Sequence, residues 1–433
     1  MTGPQTTGGT KNVQPNTRRK LSMGELMLSG PGLTRIVALC TVRGHADEHL
    51  LERSFAASVA AHPSLRSRIS PDGTELVLDP LDDRPPGLVV RRADSWDLDQ
   101  EMRSRLEPGG PLVRATLLRG VGEDTFVLHV DHRICDGRSV VALLSAVWQT
   151  YAALAEGAVV PSQPLADSHP APIETRLGHH PEADIIAYAA GRAEQAKRRP
   201  PVLLPYLRDP DVGAPEPDGI RVRTLRLDAD ETTRLVKSAR ANGISVQGVV
   251  AAAILIAVSR ALQAGEAPLP LSLASPVDFR RRVTPPLAEN TMVMAAASFY
   301  DIVEVSPWAD VFAIGRLVYD RLRTGVERGD PEREILAVSR FFENPALLAA
   351  SVVLTNLGRV ADLPAPPGLE LGGLRWVPIP ETWSPEQGQG PLVVSAITVE
   401  GRLALEVPYS PSGFAHRQIA AVLEDVRRIL APV

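Results

Sequence analysis

Eleven of the chain's 39 prolines fall between residues 160 and 219. Proline lacks an amide hydrogen and fixes its φ, so helix interiors and central strands exclude it. A segment punctuated in this way cannot form the middle of one continuous sheet or bundle. It predicts a crossover between two patterned halves, with one helix inside it at Glu182–Arg198. The expected division is a disordered tail at 1–20, an N-terminal lobe at 21–185, a Pro-rich crossover at 186–219 and a C-terminal lobe at 220–433.

Both halves mix strand and helix periodicities. In the first, strands are expected at Leu33–Val42, Glu75–Leu78, Leu88–Arg92, Pro111–Leu118 and Thr125–Val130. Helices are expected at Asp47–Ala61 and from Ser139 to Glu156, where Val140, Leu143, Leu144, Val147 and Tyr151 make one apolar stripe. In the second half, strands are expected at Ile220–Leu227, Leu269–Val277, Ser351–Thr355 and a hairpin of Leu392–Val399 with Arg402–Pro408 across Glu400-Gly401. Its helices are Asp228–Ala241, Val246–Leu262, Asp310–Gly325, Glu332–Glu343 and Phe414–Leu430. The fold class is therefore α/β (α+β), with two lobes that each carry a mixed sheet and flanking helices.

Composition removes several function classes. Two cysteines, Cys40 and Cys135, exclude a disulfide framework and a Cys-rich zinc site. A net charge of −5 argues against non-specific nucleic-acid binding. The longest apolar run, Val249–Val258, is far below the roughly 20 residues of a membrane span. Arg18-Arg19 gives a faint echo of an export signal, but no clean apolar segment follows. A cytoplasmic monomer is expected, with no membrane span and no bound metal. His179-His180 with Asp184 lack a third ligand at metal spacing and read as solvated surface.

One segment carries chemistry: His132-Arg133-Ile134-Cys135-Asp136-Gly137, a His-x-x-x-Asp-Gly pattern between a strand and a long helix. Histidine can take a proton from an alcohol or amine near neutral pH. The aspartate need not touch the imidazole. It can pair with a distant arginine and lock the loop. Glycine permits a positive φ or a close backbone approach. Cys135 invites a nucleophile reading, but a thiolate needs a base aimed at it, and a small buried thiol is expected. His129, His45, His49 and His416 have no partner pattern and read as structural or exposed.

Further blocks accompany the motif: His62-Pro63-Ser64-Leu65-Arg66, Ser275-Pro276-Val277-Asp278-Phe279-Arg280, Thr355-Asn356-Leu357-Gly358 and the late strand Leu403–Tyr409. In order and spacing, from about residue 20 to the C-terminus, the chain resembles the superfamily of chloramphenicol acetyltransferases, BAHD acyltransferases and peptide-synthetase condensation domains. Within it the chain looks most like the free-standing, polyketide-associated acyltransferases of actinobacteria. Two features depart from the branches. Asp131 stands where condensation domains usually have a second histidine, and the BAHD "DFGWG" block is absent, with Trp383–Gly390 near its place.

The resemblance implies two chloramphenicol-acetyltransferase-like lobes with a channel between them. His132 would be the general base. Asp136 would pair with Arg280, and Gly137 would shape the turn. Thr355, Asn356 and Asn290 would lie near the channel or the oxyanion. No cofactor would be permanently bound. Acyl-coenzyme A or a phosphopantetheinyl carrier protein of a polyketide or peptide synthetase would be the donor. A hydroxyl of a natural-product or lipid acceptor would receive the acyl group in secondary-metabolite biosynthesis. The rival readings are an amide-forming free-standing condensation enzyme and a non-transferring docking or pericyclase-like member. A hydrolase reading lacks a Gly-x-Ser-x-Gly elbow.

Overall fold

The structure is a computed structural model that describes residues 17–29, 34–78, 86–159, 168–207, 219–262, 265–344, 347–380 and 388–431. The elements run β1 (Arg18–Lys20), α1 (Met23–Leu26), β2 (Thr34–Arg43), α2 (Glu48–Ala60), β3 (Ser67–Ile69), β4 (Glu75–Leu78), β5 (Leu88–Arg92), α3 (Leu98–Arg103), β6 (Val113–Arg119), β7 (Glu123–Asp131) and α4 (Gly137–Ala155). The crossover holds α5 (Glu182–Arg198) and β8 (Leu204–Pro205). Then come β9 (Arg221–Arg226), α6 (Ala229–Ala241), α7 (Val246–Ala261), β10 (Leu269–Asp278), β11 (Ala296–Val305), α8 (Val311–Arg328), α9 (Asp330–Leu336) and α10 (Val338–Phe342). The chain closes with β12 (Val352–Arg359), β13 (Glu370–Pro380), β14 (Gln389–Gly390), β15 (Leu392–Val399), β16 (Arg402–Tyr409) and α11 (His416–Leu430).

Two mixed sheets organise these elements. The N-terminal sheet has the order β13-β2-β7-β6-β5, and the C-terminal sheet has the order β11-β10-β12-β15-β16-β9. Asp47, Asp136, Asp228, Ser245 and Asp310 each accept an amide hydrogen bond at a helix start, which satisfies donors the helix leaves free. One core lies between the N-terminal sheet and α2 and α4, with Phe55, Phe126, Leu144 and Trp148 fully buried. The other surrounds α7, whose residues from Gly248 to Ser259 are all buried. This is why α7 shows no polar face. Among the described residues, no single helix is long and apolar enough to cross a membrane.

Three expectations need correction. Residues 18–20 of the expected tail are strand β1, paired with β4. Arg18 pairs with Glu75 at 2.8 Å, and Arg19 forks onto Glu25 with two 2.8 Å bonds. Backbone pairing and these charges supply what the segment's low apolar content does not. Residues 1–16 and 381–387, which include most of the Trp383–Gly390 stretch, lie outside the described residues. Second, the helix expected at Glu332–Glu343 is two helices, α9 and α10, meeting at Ala337. Third, α5 is continuous across the expected boundary at 185, and β13 crosses back out of the C-terminal part. It forms the edge of the N-terminal sheet beside β2.

The side chains of β13 then tie that sheet to the other one. Arg375 forks onto Glu406 of β16 at 2.7 and 2.8 Å and reaches Thr224 of β9 at 3.2 Å. Ser395 of β15 donates to the Trp376 carbonyl at 3.1 Å. Burial disfavours the Arg375 charge, but the Glu406 carboxylate outweighs it and raises the guanidinium pKa.

Candidate active site

Strand β7 ends at Asp131, and the single 3₁₀ turn His132–Ile134 follows before α4 begins. Asp131 does not address the imidazole. Its carboxylate accepts from the Arg133 amide at 2.9 Å and from the Arg133 guanidinium at 2.9 and 2.6 Å. His132 is half-buried, and its Nδ1 stands 2.9 Å from the Cys135 carbonyl oxygen. A carbonyl can only accept, so Nδ1 carries the hydrogen. The neutral ring therefore keeps its lone pair on Nε2, which has no protein partner among the described residues. That is the form of a histidine ready to take a proton.

The Asp136 carboxylate is fully committed. One oxygen caps α4, accepting from the Ser139 amide at 3.0 Å and the Ser139 hydroxyl at 3.1 Å. The other accepts from Arg280 Nη1 and from the Ala295 amide, the latter at 3.1 Å. Arg280 is fully buried and also donates to the Thr291 carbonyl at 3.2 Å. Burial opposes its charge, yet the Asp136 carboxylate raises its pKa. The structure thus brings together Asp136 and Arg280, which lie 144 residues apart.

Segment 291–295 is a hub that the sequence does not reveal. Besides its contacts with Arg280 and Asp136, its Met292 carbonyl accepts from the Ser64 hydroxyl at 3.1 Å. The blocks around residues 62–66, 132–137 and 275–280 therefore converge on it. Its only advance signal was its place after the Asp278–Arg282 turn.

Gly137 has an ordinary negative φ, so its role is close approach. A Cβ there would lie 2.7 Å from the Trp376 ring, which is 2% exposed. Gly137→Ala should therefore destabilise the fold by about 1–3 kcal/mol. Chemical denaturation would measure it, and Trp376→Phe in that background should restore part of the loss. Unchanged stability of the alanine variant would show that the ring is free to move.

Thr355 and Asn356 lie on β12 and make no hydrogen bond to His132. The Asn356 amide donates to Gln247 at 2.9 Å, and its oxygen accepts from the Gly358 amide at 2.7 Å, closing a bulge in the strand. The half-buried Thr355 hydroxyl has no hydrogen bond among the described residues. Asn290 is exposed in the turn before Thr291. Cys135 is fully buried, with its sulfur 3.2 Å from the Asp131 carbonyl. Burial, and then the Asp136 and Asp131 charges, push its thiol well above the usual pKa. No thiolate forms there near neutral pH.

His129 is fully buried behind the site. It accepts from Arg35 Nε at 3.2 Å and stands 3.0 Å from Glu101. Burial, the largest cause, lowers its pKa to about 4. Among the described residues, no group of three or more His, Cys, Asp or Glu side chains is arranged to hold a metal ion. A cavity of about 520 Å³ lies between α5, β11 and α8, and no motif residue lines it.

Several known proteins resemble this chain in sequence or in fold. The sequence pattern of the condensation domain matches residues 35–267, and that of the phthiocerol/phthiodiolone dimycocerosyl transferase C-terminus matches residues 216–408. A phthiocerol/phthiodiolone dimycocerosyl transferase of Mycobacterium ulcerans is 27% identical over 348 residues, covering 76% of this chain and 78% of that protein. The enzyme of the same name from Mycobacterium leprae is 27% identical over 349 residues, covering 76% and 79%. Among solved structures, polyketide synthase associated protein 5 from Mycobacterium tuberculosis aligns with a TM-score of 0.70 at 23% identity, over 96% of this chain and 97% of that one. Trichothecene 15-O-acetyltransferase from Fusarium sporotrichioides aligns with a TM-score of 0.75 at 12% identity, over 96% and 95%. These two structures show the shared two-lobed fold. With more than half of its length matched by the condensation-domain pattern, the chain belongs to the condensation-domain family, and it is an acyltransferase.

Proposed function

We propose that the enzyme moves an acyl group from a thioester to a hydroxyl of a natural-product or lipid acceptor, with His132 as general base. The observation that carries this reading is the tautomer of His132: Nδ1 is tied to the Cys135 carbonyl, and Nε2 is left open. The relatives named dimycocerosyl transferases, with phthiocerol and phthiodiolone in their names, favour a lipid alcohol as acceptor. The thioester would be acyl-coenzyme A or a phosphopantetheinyl carrier protein.

In this reading Nε2 removes the acceptor's hydroxyl proton as the oxygen attacks the thioester carbonyl. The tetrahedral intermediate carries its negative charge on the former carbonyl oxygen. The uncommitted Thr355 hydroxyl is our candidate donor to it. Collapse breaks the C–S bond, and the imidazolium returns the proton to the leaving thiolate. One ester and one thiol result, and no acyl-enzyme forms. Donor and acceptor would approach His132 through a channel between the lobes.

The test supplies an acyl-coenzyme A series with and without a long-chain diol and follows free thiol and ester. Thiol release that depends on the diol and matches the ester formed supports the reading. Equal thiol release without the diol, with free acid as product, would make the protein a hydrolase and overturn it. So would failure to consume any coenzyme A or carrier-protein thioester.

A further inference from the structure

Arg138 follows Gly137 directly and occupies the second position of the 19-residue helix α4. A cation is poorly placed there, because the helix dipole puts partial positive charge at the N-terminus. The surroundings explain its presence. Arg138 Nε lies 3.1 Å from Asp278 Oδ2 at the end of β10, and Nη1 lies 3.8 Å from Glu289. Nη2 donates to the Leu357 carbonyl at 3.5 Å, beside the β12 bulge.

The other oxygen of Asp278 accepts from the Arg280 amide at 3.0 Å and from Arg280 Nη1 at 3.5 Å. The charges therefore alternate in one chain: Asp136, Arg280, Asp278, Arg138. Two members sit at the start of α4, and two sit on the opposite lobe. The Asp136–Arg280 half is buried, whereas the Arg138 and Asp278 side chains are 39% and 32% exposed. An ion pair that exposed adds little to stability. What it can do is fix a distance, because Arg138 reaches at once to β10, to the turn bearing Glu289 and to β12 next to Thr355-Asn356.

We propose that Arg138 is a positioning residue for acyl transfer. Through Asp278 and the Leu357 carbonyl it holds the His132 loop at a fixed distance from the Thr355–Asn356 segment of β12. The proposal rests on His132 being the base, so the experiment includes His132→Ala as its control.

The assay measures kcat and KM in the thiol-release reaction for the wild type, Arg138→Ala, Arg138→Lys and His132→Ala, with a melting curve for each. Arg138→Ala should lower kcat by about 10-fold to 100-fold with KM changed less than about threefold, since misplacement of reacting groups acts on turnover. Its melting temperature should stay within about 3 °C of wild type. Lysine keeps the charge but loses the fork, so Arg138→Lys should recover part of kcat. Raising salt from about 0.05 to 0.5 M should lower the wild-type kcat towards that of Arg138→Ala and leave the variant unmoved. A wild-type kcat in Arg138→Ala would overturn the proposal. So would a loss in both Arg138 variants that only follows a fall in melting temperature. If His132→Ala also keeps full turnover, the reading of His132 as base has failed instead.

Discussion

Replacing His132 with alanine is expected to lower kcat by about 10²- to 10⁴-fold, the range a positioned general base contributes. Stability should change by only about 1 kcal/mol, because the side chain is half-buried and gives up one hydrogen bond, to the Cys135 carbonyl. Steady-state thiol release and chemical denaturation on the same preparation separate the two effects. The expected pattern is a large loss of turnover in a folded protein. Turnover at the wild-type rate with intact folding would remove His132 from the mechanism. A large loss of stability would mean the loop needs the ring for its shape, and the kinetic loss would then say nothing about a base.

The second large effect is on the fold. Arg280→Ala leaves the buried Asp136 carboxylate without its cation, and breaking a buried pair in this way costs about 3–5 kcal/mol. Asp136→Ala should cost at least as much. It strands the Arg280 guanidinium, unpairs the Ala295 amide and removes the cap of α4. The double variant should be no less stable than Asp136→Ala alone, since each single change already destroys the pair. Urea titration of the three proteins gives the interaction energy. Additive losses would mean that the two residues are stabilised by their other contacts and do not act as a unit. Activity should fall with folded fraction in all three, because neither side chain hydrogen-bonds to His132.

The legibility of this molecule in its sequence follows from which signals are local. Helices α4, α5 and α11 were readable because their apolar stripes or caps lie within a few turns of chain. Strand β7 and the hairpin β15–β16 were readable because each has a short alternating or apolar run bounded by turn residues. Strand β13 was not readable. Its sequence, ELGGLRWVPIP, has two glycines and two prolines, and its register slips between Gly372 and Arg375. Only the waiting edge of β2 makes it a strand. Strand β11 alternates in burial, but its residue types hide the alternation, because Asp301 lies on the buried face and Tyr300 and Ile302 lie on the other.

The candidate site shows the same division. The motif residues are contiguous, so their pattern stood out. Arg138, Asp278, Ala295 and Trp376 acquire meaning only through contacts made across 100 residues or more. His129 has no partner pattern in the sequence, yet it sits in a buried polar network with Arg35 and Glu101. Its partners come from β2 and α3, and no spacing rule connects them.

Strand β13 also has a consequence for how the chain is made. Arg43 of β2 faces Glu370 of β13, 327 positions later in the chain. On a ribosome, β2 and β7 emerge and can pair long before β13 exists. Until then the outer side of β2 is an unpaired apolar edge bearing Val37, Ala38 and Leu39, the kind of edge that recruits other strands. The Trp376 ring that packs on Gly137 arrives with the same late strand. The nascent N-terminal half thus holds the whole His-x-x-x-Asp-Gly motif without the support that shapes it. The finished site can be assembled only after β13 has been synthesised, and pairing over such separations is slow.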